Sequence, residues 1–268
     1  MKVANKVIIL NEYAYTSSIS DTPIPYRQIR KAIIGLQALQ NGTTAPTLSS
    51  FLAELSEIQF SAKKNYFNGI SVDGEDLLAL NVMMLGHVPE YVVSAGDNQV
   101  IYCAPLYVPL GINTNVTPSF HLNHTDNTTT DTHKVTLGLE LGVGTEYTYL
   151  KKNDTADTAG TEVDMSQSGK RLKALLIYAT TVPSTSNTQR SIKELKVIVN
   201  KQEAYHYNWF ELSKGLAPVD AVDDSTLGAI LDNYRIIMFA NPIPAEDLTI
   251  WTKSDTATDT IEFIGVYV

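Results

Sequence analysis

The chain has 268 residues, a formal net charge of −9, and 44% hydrophobic against 18% charged residues. That is enough apolar material for one large domain or two ordinary ones. The acidic balance and the lack of any Lys/Arg run exclude the electrostatic footprint of a nucleic-acid binder or a polybasic lipid anchor.

Cys103 is the only cysteine, which rules out an intrachain disulfide and a cysteine-based zinc site. It reads as a small buried hydrophobe. The apolar run at residues 7–10 is too short for a signal-peptide core or a membrane span, so no export signal is expected.

In chain order, period-two alternation predicts strands over residues 6–10, 31–39, 54–60, 90–93, 99–108, 135–141, 146–150, 172–180, 195–199, 234–239, 248–251 and 261–268. Clusters such as SSISDTPIP, QNGTTAPT, NHTDNTTTD, KNDTADTAG and NPIPAED supply the residues at which a chain reverses. Two short helices are expected, over residues 73–80 and 224–233. Both carry early acidic or Ser caps ahead of apolar residues at helical spacing. About a dozen short strands with regular punctuation predict an all-β fold of sandwiches or barrels.

The chain also repeats itself. T-x-T-D-T starts at Thr128 and again at Thr256, each time followed by a strand-like run. Three further pairs fall in the same order: Glu12-Tyr-Ala-Tyr15 with Glu146-Tyr-Thr-Tyr149, Lys31-Ala-Ile-Ile34 with Lys173-Ala-Leu-Leu176, and Glu54-Leu55 with Glu194-Leu195. The expectation is two tandem eight-stranded jelly-roll sandwiches, residues 1–142 and 143–268, with a few short helices.

Candidate chemistry is sparse. His121, His124 and His133 form the only histidine cluster, and positions three apart on a strand face opposite sides, which disfavours a shared metal. Turn carboxylates offer weak calcium candidates at Asp220, Asp223 and Asp224 and at the two T-D-T turns. Asx and ST turns explain the same residues without an ion.

No phosphate loop, nucleophile elbow, dinucleotide fingerprint or zinc-protease motif is present, so neither enzyme activity nor a cofactor is expected. N-x-[ST] sequons at Asn41, Asn115, Asn123, Asn127 and Asn153 are expected in loops. Tyr205, Tyr207, Trp209 and Trp251 are candidate interface or ligand aromatics, one alternating set facing the core.

Two segments carry a family resemblance. ELKVIVNKQEAYHYNWFELSK begins at Glu194, and NYRIIMFANPIPAEDLTIWTKSDTATDTIEFIGVYV begins at Asn233. With the repeat, the chain resembles the double jelly-roll major capsid proteins of tailless icosahedral viruses, often with an internal membrane. The resemblance implies a homotrimer whose six jelly rolls form a pseudo-hexameric capsomer and tile an icosahedral shell. It also implies location in the virion after synthesis in the host cytoplasm. Implied partners are other copies of the chain and, beyond them, minor capsid, vertex or membrane proteins.

The turns are short, so tall outer towers are not expected, and no long amphipathic N-terminal helix is evident. Two other classes stay open. One is a glycan-binding tandem sandwich using Trp209 or Trp251. The other is a two-domain jelly-roll hydrolase with carboxylates near residues 142–145.

Overall fold

The computed structural model describes residues 7–15, 19–40, 47–62, 71–92, 99–124, 132–184, 186–213 and 225–268. The chain divides into two units, Met1–Val82 with His87–Thr148, and Met83–Gly86 with Tyr149–Val268. Among the described residues there are sixteen strands and three short α-helices.

The first unit carries β1 (Val7–Tyr15), β2 (Ile19–Pro23), β3 (Gln28–Gln40), β4 (Leu55–Ala62), β5 (Glu90–Val92), β6 (Gln99–Asn113), β7 (Pro118–His124) and β8 (Thr132–Leu141). They form two antiparallel sheets, β1-β8-β3-β6-β5 and β2-β7-β4. Val72 bridges Ile58 at the free side of β4, where a fourth strand of the second sheet would lie.

Helix α1 (Leu48–Ala53) is capped by the Thr47 side chain. Helix α2 (Gly74–Ala79) opens on a capping box between Asp73 and Asp76, then continues as a π-helical stretch over Leu80–Met84. Buried Asn81 ties that stretch to β6. Its amide donates to the carbonyls of Leu77 and Tyr107, and its Oδ1 accepts from the Tyr107 amide.

The second unit is built on β9 (Thr148–Thr155), β10 (Thr161–Asp164), β11 (Arg171–Ala179), β12 (Glu194–Val199), β13 (Gln202–Asn208), β14 (Tyr234–Pro244), β15 (Leu248–Lys253) and β16 (Thr260–Tyr267), with α3 (Ser225–Leu231) before β14. Its sheets run β14-β11-β16-β9 and β10-β15-β12-β13. In both units the first strand, the last, the third and the sixth lie side by side, while the second, seventh and fourth lie together in the other sheet; the fifth differs, β5 pairing with β6 in the first sheet and β13 with β12 in the other. This is jelly-roll order, stated twice.

Period-two burial explains why each sheet has one inward face. On β3, Ala32, Ile34 and Leu36 pair with Leu139, Leu137 and Val135 of β8, and all six are buried. On β11, Leu175, Ile177 and Ala179 pair with Gly265, Phe263 and Ile261 of β16. These residues, Gly265 aside, join Leu195, Val197, Leu248, Ile250 and Trp209 in one core cluster. Gly265 is required there because the Tyr267 ring folds over it. A Cβ on Gly265 would stand 2.5 Å from that ring. The Tyr267 hydroxyl donates to the Met165 carbonyl at 2.7 Å.

The repeat holds, but not in the register that the residue letters suggest. A bulge lies between Ile29 and Lys31 on β3 and another between Leu172 and Ala174 on β11. Aligning the bulges and the inward faces matches Ala32 with Leu175, whereas the Lys-Ala identity matches Ala32 with Ala174. A one-residue slip sends every side chain to the opposite face, so burial decides between the two.

Several expectations change in detail. β2 lies in a stretch read as a turn, and β7, β10 and α1 fall where no element was expected. β9 runs on through Thr155 and β14 through Pro244, both into expected turns. Asn123 stands in β7 and Asn153 in β9, so these two sequons are on strands; only Asn115 is in a described loop, and Asn41 and Asn127 lie outside the described residues. Cys103 is fully buried on β6, and burial pushes its thiol pKa up to about 12.

Substituting Phe263→Ala is expected to lower unfolding free energy by about 3–5 kcal/mol, the range for emptying a core aromatic site. Phe210→Ala, at a side chain 73% exposed, is expected to change it by no more than about 0.5 kcal/mol. Urea unfolding of the two variants checks both.

Candidate functional site

Two surfaces stand out among the described residues. One is the free edge of the second unit, where β13 ends one sheet and β14 ends the other. A β-turn at Asn200 and Lys201, both at positive φ, reverses the chain from β12 into β13. The Tyr205 and Tyr207 rings then stack on one side of β13, their centroids 6.3 Å apart and nearly parallel. Tyr205 also meets Phe239 of β14 at 5.4 Å, so aromatic contact closes the open side of the sandwich. Burial and the Tyr205 hydroxyl both raise the Tyr207 pKa.

The 3-10 turn Trp209–Glu211 separates the next two aromatics. Asn208 and Glu211 form a capping box. This turn sends Trp209 into the core, 1% exposed, and Phe210 outward. The Arg235 guanidinium lies 4.5 Å from the Trp209 ring centroid. Its Nη1 donates to the carbonyls of Asp232 and Tyr234. Burial lowers the Arg235 pKa, against the opposing pull of Asp232.

Trp251 is half-buried on β15. Lys196 lies 5.1 Å from its ring centroid, and Gly160, at φ +105°, brings backbone against the indole. A Cβ on Gly160 would come within 2.6 Å of the ring. Trp251 is therefore packed against its own unit, and Trp209 is core. Of the four aromatics singled out by sequence, Tyr205 and Tyr207 come together and the two tryptophans do not join them. Phe210, which the sequence places beside these aromatics, is 73% exposed; Met238, exposed at 40%, was missed because it carries no pattern that distinguishes it from a core residue.

The polar side of the β12–β13 hairpin is laced with charge. Lys196 reaches Glu203 at 2.7 Å, and His206 sits 3.6 Å from both Glu194 and Glu203. The hydrogen bond from Lys196 holds the Glu203 carboxyl below its usual pKa. Charge on an edge strand discourages pairing with stray strands.

The second surface is the outward face of the first unit's larger sheet. Gly35 of β3 faces the Ala104–Pro105 bulge of β6, since β3–β6 pairing jumps from Ile34–Leu106 to Leu36–Cys103. Pro105 has no amide to offer the ladder, which is why the strand bulges there. With Gly35, Ala104 and Gly138 lacking bulk, a mostly apolar groove of about 460 Å³ opens over Ile33, Tyr102 and Thr136. Glycine inside a strand pattern is the sequence signal that marks such a close approach. Beyond the groove, Glu140 takes Arg30 at 2.9 Å and Lys31 at 3.0 Å. Adjacent residues reach one carboxylate because the β3 bulge lies between Ile29 and Lys31.

The metal candidates resolve unevenly. Asp220, Asp223, Asp224 and the first T-D-T turn lie outside the described residues. In the second turn, Asp259 Oδ2 accepts from Ser191 Oγ and Thr256 Oγ1, both at 2.7 Å. Asp255 pairs with Arg190 at 2.8 Å and Lys193 at 3.3 Å. These contacts tie the loop before β12 to the turn before β16, the capping role that Asx and ST turns supply. His121 and His133 are on strands of different sheets. The His121 ring approaches Glu57 at 3.9 Å. No described helix is long and apolar enough to cross a membrane.

Burial raises the Asp259 pKa, but the hydrogen bonds of Ser191, Thr256 and Thr181 outweigh it and hold the carboxyl below its usual 3.8. A depressed carboxyl pKa stabilises the fold above the unfolded value, and that stability is lost as pH falls through the folded one. Asp259→Asn is therefore expected to lower the melting temperature at pH 7. The deficit should shrink as pH falls below about 4, the ordinary Asp pKa, toward the depressed value of the folded protein. Thermal melts of both proteins across pH 2–7 check this.

No family model and no curated protein matches the sequence. Solved structures do. The STIV MCP superposes with a TM-score of 0.70 at 14% identity, covering 98% of this chain and 96% of that one. The major capsid protein P2 from bacteriophage PM2 superposes with a TM-score of 0.53 at 14% identity, covering 98% and 97%. The chain is a double jelly roll, and it shares that fold with those two proteins over nearly their whole length.

Proposed function

We propose that the protein is a major capsid subunit, which trimerises into a pseudo-hexameric capsomer and tiles an icosahedral shell. The observation that carries this is the pairing of two jelly rolls in one chain that agree in the placement of seven of their eight strands, with end-to-end likeness to two solved capsid chains. Three copies of a two-roll chain present six similar sandwiches around one axis, and a hexagonal footprint is what a flat lattice needs. Its place is the virion, with synthesis in the host cytoplasm. Its partners are other copies of itself, then minor capsid, vertex or membrane proteins at the shell. The net charge of −9 gives no reason to expect direct contact with nucleic acid.

The role is structural and needs no catalytic centre. Glu140, Asp255, Asp259 and Glu203 support that reading, because each is engaged in ion pairs or hydrogen bonds within its own unit. The glycan-binding alternative rested on the tryptophans. Trp209 is buried, and Trp251 packs on Gly160 beside Lys196.

Light scattering of the purified protein is expected to return three times the chain mass of 29.5 kDa, unchanged on dilution. A single-chain mass at every concentration overturns the reading.

A further inference from the structure

The segment that leaves β8, residues 142–147, is tied down at both ends. The Gly142 amide donates to the Gln28 carbonyl, and the Tyr147 amide to the Leu110 carbonyl. Between these anchors Thr145 lies on β6. A Cβ on Gly111 would stand 1.9 Å from the Thr145 carbonyl oxygen, and Gly111 takes φ +62°. Gly144 rests on the stem of Arg30, since a Cβ there would stand 3.2 Å from Arg30 Cγ. A cleft of about 420 Å³ lies here, and its lining includes Arg30, Lys31, Gly144 and Thr145. All of its lining residues belong to the first unit.

The lining is one-sided in charge. The β3 bulge turns two successive cations, Arg30 and Lys31, toward the outward face. Glu140 answers both, one oxygen to each. One carboxylate against two cations leaves one positive charge, and no carboxylate is among the described lining residues. In a chain of net charge −9 such a cleft is an exception. Arg30 gives Nη1 to Glu140, while its Nη2 and Nε have no described partner. No described group accepts from the amides of Gly144 and Thr145. Gly144 against the stem and Glu140 at the head hold the guanidinium in place, so little side-chain freedom remains to be lost on binding. A planar fork, an ammonium, backbone amides and a hydroxyl are the donors that recognise phosphate.

We infer that this cleft binds a small phosphate-type oxyanion, with the Arg30 guanidinium as its principal contact. Isothermal titration of the full chain with sodium phosphate, at ionic strength held constant with sodium chloride, is expected to give saturable one-to-one binding. Acetate, with two oxygens, should bind more weakly. Arg30→Gln should weaken phosphate binding about tenfold, the loss of one charge-assisted contact. That change also removes an ion pair, so a second variant is needed. Thr145→Asp, at an exposed position, leaves the Glu140 pairs intact and puts a carboxylate at the cleft. It should abolish binding while circular dichroism and the melting temperature stay near wild type. Lys134→Gln, six residues from Glu140 along β8, should bind as wild type does.

Vesicles of phosphatidylcholine carrying phosphatidic acid separate the sources of the anion. Arg30-dependent sedimentation with them assigns a lipid headgroup; phosphate binding without sedimentation assigns a dissolved anion. The inference is overturned by no saturable phosphate binding, by equal binding of acetate, or by Arg30→Gln and Thr145→Asp proteins that bind phosphate as wild type does.

Discussion

Everything in each half hangs on where its last strand goes. β8 lies between β1 and β3, and β16 lies between β9 and β11. The final strand of each half is thus an interior strand, hydrogen-bonded on both sides, and the sheet is incomplete until it arrives. Val135, Leu137 and Leu139 on β8, and Ile261 and Phe263 on β16, are the inward residues brought by that closure. This is why a T-D-T turn followed by an apolar alternating run occurs twice. Each copy of the fold needs a turn that releases the chain from the sheet of the seventh strand and a strand that can be buried between two others. The cost is high contact order, because first and last strands must meet before either is secure.

Given that closure, the two halves are free to diverge wherever it does not constrain them. Inward faces are apolar and buried in both. Outward faces differ: the second unit has Leu176, Ile236 and Ile264 where the first has Ile33, Tyr107 and Gly138. The bulge at Ala104–Pro105 and the glycines opposite it convert a flat sheet face into a groove. The Glu140 pairs with Arg30 and Lys31 have no counterpart at Val266.

The free edge of the second unit shows how the fold limits wrong association. Aromatic rings join β13 to β14, and the charged side of the hairpin carries Lys196, Glu203, Glu194 and His206 within ion-pair reach. The Asp259 and Asp255 contacts fix the turn that launches β16, so the polar turns and the buried strand are parts of one device.

The sequence by itself determined the all-β class, the duplication, most strands and two of the three helices. Each of these is a local matter of period-two alternation, capping residues and turn chemistry. β2, β7 and β10 escaped because they are short or polar, and their pairing with better-patterned neighbours is what makes them strands. Tertiary structure alone decided register: residue identity matched Lys31 with Lys173, while the bulges and inward faces match Ala32 with Leu175. It also decided the fates of the aromatics, since nothing in YHYNWF separates a buried Trp209 from an exposed Phe210 until the Asn208–Glu211 cap sets the turn. The groove was beyond reach for the same reason. It is made by residues from three strands, 33–37, 102–105 and 136–138, and only the sheet brings them together.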